Sequence, residues 1–396
     1  MAQEVGTPFY LYDKAVIRRQ WEALHENKPA QLRVFYAVKG NPTLAILRIF
    51  RALGAGVEIA SGGELFLALK AGFSPEDIIF TGPGKTDAEL EFAVQTGIRT
   101  IHLESLREAE RLHLICTRLE KRQAVLVRIN SSMEVKTQVQ LSGCPSPFGI
   151  SEEDVEDILP AILQLSKLDF KGIHVYNASG ILDYRLLLKN VEHVFELVTS
   201  LEKTLEIDIP VIDFGGGLGV DYSDRDQHVD VPSFYRGFDA LMHEYGFQNR
   251  QFILEIARYL MASSGSYITK VLDKKMSRGT LFLITDGGIH HFMRKALFDS
   301  NHSAEVLQST ISYQKETVHV TGCLCTSIDR LLTEVALPKA SIGDYIRIKK
   351  AGCYSLSAAI NHFLSHEMPA EILLEGKDWK IIRSRGKHGD LLINQP

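Results

Sequence analysis

Eight short apolar runs, each followed by a helical pattern, fill the stretch from about residue 30 to about residue 260. No other feature of the chain narrows its possible folds as much. The runs cover 33–38, 55–60, 77–82, 100–104, 124–129, 169–176, 211–216 and 251–256. They are nearly continuous in apolar residues instead of alternating, which suits parallel strands covered on both faces. Helix punctuation stands between them. Asn41 followed by Pro42 reads as a cap and a first-turn proline, after which Leu44, Leu47, Phe50 and Leu53 recur at helical spacing until Gly54. Ser61 with Glu64, Thr86 with Glu89, and Ser105 with Glu108 each read as a capping box. Eight alternating units predict an α/β fold, a (β/α)8 TIM barrel, with an open doubly wound sheet as the alternative.

Past about residue 262 the rhythm becomes one of strands, at 267–272, 281–285, 317–325, 344–350, 371–374 and 379–384, with 375–378 as a hairpin connection. Residues 9–12 form one more strand ahead of the barrel, expected to join this later part. The expected division is a barrel over 14–262 and a β-rich, β-barrel-like domain made of 1–13 plus 263–396 that completes the active site.

A formal net charge of -5 gives no general attraction to nucleic acid or to an anionic membrane. No apolar run approaches the roughly 18 residues that span a bilayer. The first residues lack a basic-then-apolar targeting pattern. Cys116, Cys144, Cys323, Cys325 and Cys353 are scattered, as expected of reduced thiols in a cytoplasmic protein.

Chemistry-bearing residues cluster where the strands of such a barrel end. Lys39 closes the first run, in Tyr36-Ala37-Val38-Lys39-Gly40-Asn41. Burial lowers a lysine's pKa and makes it a nucleophile toward carbonyls, so Lys39 is a candidate for covalent attachment of pyridoxal phosphate; the plainer reading is a solvated lysine. Arg128 lies on the fifth run, and His174 and Tyr176 end the sixth. Gly215, Gly216, Gly217 and Gly219 follow the seventh, where backbone N–H groups can approach a phosphate closely and where tight turns also use glycine. Ser179 adds a hydroxyl donor. Glu255 ends the eighth run, where its carboxylate can hold a pyridine nitrogen protonated or pair with Arg258.

In the later part, Cys323 and Cys325 are expected on one face of a strand, with neither a second cysteine pair nor a nearby histidine to complete a metal site. Adjacent His290 and His291 are expected to point in opposite directions, so no metal is expected there either. Arg294 carries a guanidinium suited to a substrate carboxylate, although its pattern alone reads as surface charge. The basic tail of Arg383, Arg385, Lys387 and His388 reads as a solvated edge.

Taken together these motifs resemble the pyridoxal-phosphate decarboxylases of the ornithine/diaminopimelate/arginine group, fold type III. The resemblance runs from about Thr7 to about His366. It is carried by the Lys39 motif, by Gly56-Val57-Glu58-Ile59-Ala60-Ser61-Gly62-Gly63-Glu64-Leu65, by the glycine cluster, by Glu255-Ile256-Ala257-Arg258, by Cys325 with Asp329, and by Ala351-Gly352-Cys353-Tyr354. It implies that Lys39 holds the cofactor covalently and that Cys325 reprotonates the carbanion after CO2 leaves. Glu58, Arg128, Tyr176, Ser179, the glycines, Glu255, Arg258 and Tyr354 would surround the cofactor. Arg258, Arg294, Thr326, Asp329 and Tyr354 would meet the substrate. It further implies a head-to-tail homodimer in which Cys325 and Asp329 reach the active site of the other subunit.

The departures from the family pattern point to a substrate. Tyr176 stands where a ring-stacking histidine is usual, Ala257 where glycine is common, and Pro147 where ornithine-type enzymes have a basic residue. Thr326 stands where an acidic residue normally binds the substrate's distal ammonium. A buried ammonium without that acid would be costly. The expected substrate is therefore an L-amino acid, or a derivative of one, that lacks a free distal amine. The wording around the sites resembles decarboxylases of specialised biosynthesis, which act on carrier-protein-bound amino acids in aminoglycoside assembly or on citryl-diamino acids in siderophore assembly. A diaminopimelate-decarboxylase-like enzyme, an amino-acid racemase and a catalytically inactive regulatory homologue remain alternatives.

Overall fold

The computed structural model describes residues 1–133, 139–140, 143–299, 301–307 and 314–396. The chain divides into two compact units. The larger contains 22–220 and 228–257. Its core is a closed ring of eight parallel strands: β2 (Leu32–Ala37), β3 (Gly56–Ile59), β4 (Ile78–Phe80), β5 (Thr100–Leu103), β6 (Gln123–Asn130), β7 (Leu168–Val175), β8 (Val211–Asp213) and β9 (Gln251–Ile256). The ring runs β5-β4-β3-β2-β9-β8-β7-β6 and closes through β5 against β6. Ile101 pairs with Val125 across that seam. Closure is what separates the barrel from the doubly wound alternative.

The strands run apolar because both faces are buried. In β3 all four residues are buried, and so are all four in β5. The helices between them begin largely where their caps sit. Thr86 and Glu89 form a reciprocal capping box. At Ser61 and Ser105 only half of the device forms. Each serine accepts the backbone N–H three residues on, while the Glu64 carboxylate takes the Ala60 N–H and the Glu108 carboxylate takes Glu104 N–H and Lys85. Asn41 does not cap the next helix. That helix starts at Leu44 after Thr43, and Asn41 accepts the Thr43 N–H at 3.1 Å instead.

The barrel demands close backbone contact at Gly172 on β7. Its φ is +153°, and a Cβ there would stand 1.8 Å from the Val211 carbonyl oxygen. Gly172 and Val211 are register partners between β7 and β8. No displacement of a side chain relieves that overlap, because the obstacle is backbone.

The smaller unit contains 1–21, 221–227 and 258–396. Its nine-stranded sheet has β1 (Phe9–Asp13) between β10 (Gly265–Ser277), antiparallel, and β16 (Ala370–Glu375), parallel. β11 (Thr280–Thr285), β12 (Ala304–Leu307), β13 (Lys315–Thr321), β14 (Arg330–Pro338), β15 (Tyr345–Lys349) and β17 (Asp378–Arg383) complete it. Strands β12 and β14 have no counterpart in the sequence expectations. The strand expected over 317–325 ends at Thr321, and the segment after it is irregular up to β14. Among the described residues no helix is long and apolar enough to cross a membrane.

Gly172→Ala is expected to destabilise the chain by about 3 kcal/mol or to abolish soluble expression, since overpacking against backbone sits at the severe end of such changes. Urea unfolding with an unchanged m-value reads the loss; a midpoint equal to wild type would contradict the packing described for β7 and β8.

Candidate active site

Within the larger unit a polar cluster gathers at the C-terminal ends of the strands, the end on which active sites of this architecture are built. Lys39 lies just past β2, in the 3-10 turn Val38–Gly40, not on the strand itself. Its side chain is 36% exposed, so burial is not what conditions it. Its neighbour is Glu58 on β3: Lys39 Nζ lies 2.5 Å from Glu58 Oε2. Glu58 is fully buried, and its other oxygen accepts the hydroxyl of Thr81. An otherwise prohibitive buried carboxylate is thus held by one cation and one hydroxyl.

Across the barrel, Asp213, Glu255, His102 and His174 are buried together. The two imidazoles meet Nδ1 to Nδ1 at 3.2 Å. His102 stands 3.9 Å from Asp213, and His174 Nε2 stands 3.9 Å from Glu255 Oε1. Burial, and then nearby cations, hold both histidines well below their ordinary pKa, so these are contacts of neutral rings and not ion pairs. Burial, followed by the negative charge of Asp213, pushes the Glu255 carboxyl well above the carboxylate range. Asp213 is raised to about 8, again chiefly by burial.

The glycine run approaches this cluster as closely as backbone can. Gly215 has φ +60°, and a Cβ on it would lie 2.6 Å from the Tyr176 ring. At Gly216 a Cβ would lie 2.5 Å from the Glu255 carbonyl oxygen, and at Gly219 it would lie 2.6 Å from that of Gly180. Ser179 sits in the short strand Ala178–Ser179 that follows β7. Arg128, also buried, spends its charge on Glu104 at 3.1 Å and lies over the Phe148 ring.

The other expected site residues lie in the smaller unit. Arg258 opens the helix Arg258–Met261 and lies over the Tyr354 ring, 5.7 Å from its centroid. Arg294 is not the surface residue its pattern suggests: it is 2% exposed. Its guanidinium lies over the rings of Tyr222 and Phe298 and donates from Nε to His302 Nε2 at 3.2 Å. Among the described residues no carboxylate is in ion-pair range of it. Cys325 is exposed and Thr326 half-buried, both in the loop between β13 and β14. Because this loop is irregular, strand alternation does not place Cys323 and Cys325 on a common face, as the sequence pattern suggests. Asp329 is buried and accepts backbone N–H groups from Ile289 at 2.8 Å and Leu324 at 2.7 Å.

Glu255 Oε1, His174 Nε2 and Asp213 Oδ2 are buried without a hydrogen-bond partner among the described residues. Orphaned polar atoms of this kind call for a ligand that supplies the missing partners. A protonated aromatic ring nitrogen beside the carboxyls, with a phosphate on the glycine backbone, fits them. The sequence profile described as "Pyridoxal-dependent decarboxylase, pyridoxal binding domain" matches residues 14–262. The chain belongs to that family of decarboxylases. Over its whole length it is 34% identical to the L-glutamyl-[BtrI acyl-carrier protein] decarboxylase of Niallia circulans, of which it spans 95%. It is 32% identical to the 2-[(L-alanin-3-ylcarbamoyl)methyl]-2-hydroxybutanedioate decarboxylase of Staphylococcus aureus, covering 94% of this chain and 95% of that one. Diaminopimelate decarboxylase from Helicobacter pylori, solved with L-lysine, superposes with a TM-score of 0.90 at 28% identity, over 99% and 97% of the two chains. The decarboxylase is thus a pyridoxal-phosphate-dependent carboxy-lyase.

Sequence reasoning did not give His102, Thr81 or Asp213 a place in the site. With Thr100, His102 is one of two polar side chains in the otherwise apolar strand β5, and Asp213 stands two residues before the glycine run; each could have been flagged on those grounds.

The carboxyl pair predicts a pH dependence for the cofactor-stripped decarboxylase. A carboxyl raised in the folded state contributes stability that is complete below its unfolded pKa and disappears as pH rises through its folded one. Below about pH 6.5 the two buried neutral histidines, which take up protons only on unfolding, oppose this trend, so the net fall in stability should lie between about pH 6.5 and pH 8, by at most about 1.4 kcal/mol per pH unit for each proton. Asp213→Asn should flatten that slope in denaturant titrations at several pH values, and an unchanged slope would contradict the assignment.

Proposed function

We propose that the decarboxylase removes CO2 from an L-amino acid whose far end is acylated or carries a carboxylate in place of a free amine. The supporting observation is Arg294, a buried guanidinium without a carboxylate counter-charge among the described residues. Such a group recognises a carboxylate or carbonyl on a ligand, while Thr326 offers no charge to a distal ammonium. The two relatives named above act, by their names, on a carrier-protein-bound glutamyl group and on a citrate amide of a diamino acid. Diaminopimelate is the second reading, because its distal carboxylate would also suit Arg294, but its distal ammonium would lack a counter-charge at Thr326.

Pyridoxal phosphate, when bound, accepts the electrons released as the Cα–carboxylate bond breaks. The residues prepare that step. Lys39 is the amine that carries the cofactor aldehyde, and its salt bridge to Glu58 holds it at the rim. Glu255 faces the ring nitrogen and shares its proton, with His174 and Asp213 lining the same buried wall. Gly215, Gly216, Gly217 and Gly219, with Ser179, Arg258 and Tyr354, hold the phosphate end. Tyr176 packs on the ring face, and Arg128 braces the wall through Glu104. Cys325 returns a proton to Cα, and its exposure in the single chain supports delivery to a second copy. The working unit is then a homodimer with shared active sites. In it Asp329 holds the Cys325 loop and meets the substrate through its remaining lone pairs. We take 14–262 as the cofactor-binding barrel and 1–13 plus 263–396 as the domain completing it. Five free thiols support a reducing, cytoplasmic setting.

Borohydride treatment followed by peptide mapping should find the reduced cofactor on Lys39, and Lys39→Ala should show neither adduct nor CO2 release; an adduct elsewhere would overturn the assignment. Cys325→Ala should lower kcat about 100-fold while cofactor absorbance is retained. Screening CO2 release from free, citrate-amide and carrier-bound amino acids identifies the substrate, and free diaminopimelate as the best of them would refute the specificity reading. Thr326→Glu should raise kcat/KM on a free diamino acid about tenfold or more, the worth of one charge-assisted hydrogen bond.

A further inference from the structure

The adjacent histidines do not diverge as an extended segment would make them. His290 and His291 lie in a turn after β11, with ring centroids 3.7 Å apart. His291 is satisfied: its Nε2 meets the Glu367 carbonyl at 2.9 Å and its Nδ1 meets the Tyr267 hydroxyl at 3.4 Å. His290 is not. It is 1% exposed, and neither of its ring nitrogens has a hydrogen-bond partner among the described residues. An imidazole buried with both nitrogens unanswered needs an explanation, because desolvating a polar group without a partner is costly.

Two further side chains converge on it. The His366 ring lies against that of His290, tilted by 35° with centroids 4.6 Å apart, and its Nε2 lies 3.8 Å from Cys323 Sγ. One ligand atom each from His290, Cys323 and His366 falls within a 4.8 Å group. Around a tetrahedral zinc, bonds of about 2.3 Å to sulfur and about 2.05 Å to nitrogen place ligand atoms about 3.4–3.6 Å apart. The Cys323–His366 pair already stands near that spacing, and small rotations of flexible side chains suffice for the rest.

The loops that carry these groups are held together without a metal. The Asp329 carboxylate ties the turn of His290 to the loop of Cys323 through the Ile289 and Leu324 N–H groups. At their junction a Cβ on Gly322 would lie 2.4 Å from Gly288 Cα, so neither loop can retreat behind a side chain. His366 arrives from the separate segment around 361–366.

We propose that His290, Cys323 and His366 form a binding site for a zinc-class divalent cation, with a fourth position left to water. One thiolate and two imidazoles are a borderline-soft set that suits such an ion. On binding, the Cys323 thiol releases its proton to solvent as the metal–sulfur bond forms, and one of the two orphaned His290 nitrogens donates its lone pair to the metal. The site ties three loops together, one of which carries Cys325 two residues further on.

The test uses the full-length holoenzyme, dialysed against zinc and then against metal-free buffer, with elemental analysis, and separately titrated with cobalt(II). Wild type should retain about one zinc per chain, and cobalt should give a near-ultraviolet thiolate-to-metal band. Loss of one ligand in Cys323→Ser or His366→Gln should weaken binding about tenfold or more. Cys323→Ser should also lose the near-ultraviolet band. Because His366 is half-buried, its replacement should leave the circular dichroism unchanged, which keeps the test independent of Cys323→Ser folding. The thiolate band separates this site from the His102, His174, Asp213 and Glu255 group, which has no sulfur. No such band in wild type, or zinc retention equal to wild type in both variants, would mean an adventitious ion only and overturn the proposal.

Discussion

A carboxylate with no solvent exposure, Glu58, must be answered inside an apolar barrel, and the Lys39 ammonium and the Thr81 hydroxyl answer it. Much of the candidate site follows from that requirement. The pair holds Lys39 at the strand ends without burying it deeply. It also sets the field in which the other groups titrate: Glu58 raises, and Lys39 lowers, the carboxyls of Asp213 and Glu255. In a medium of low effective dielectric these influences reach farther than they would in water.

The second constraint is backbone proximity. Parallel strands in a closed ring bring consecutive strand ends side by side, so His174, Asp213 and Glu255 become neighbours although they are far apart in the chain. The glycines let β8 and its following turn come close enough for Tyr176 and Glu255 to share one wall. The same logic, at Gly172, lets the barrel close. Stability and site geometry here depend on the same property, the absence of a Cβ.

Much of this was legible in the residues. Period, strand count and cap residues indicated a barrel because near-continuous apolar runs and helix signals are local properties. Lys39, Glu255 and the glycines stood out because their chemistry is unusual at strand ends. Residues failed to be legible where the decisive partner was distant in sequence. Arg294 looked like surface charge because its neighbours in the chain do not reveal Tyr222 or Phe298 packing around it. Cys323 looked like one half of an incomplete metal site because His290 and His366 reach it only through tertiary folding. Alternation misled for Cys323 and Cys325, since the strand ends at Thr321 and the irregular loop has no fixed period.

The amino-acid order by itself determined the eight βα units, the clustering of reactive side chains at their ends and the cofactor chemistry. The first two rest on local pattern and on the nature of single residues, and the third on several sparse motifs standing in the order of a known family. Only the tertiary structure decided which groups share a proton or a charge, which arginine is buried, and which histidine lacks a partner. Those are facts about distance and desolvation, and neither quantity exists until the chain has closed on itself.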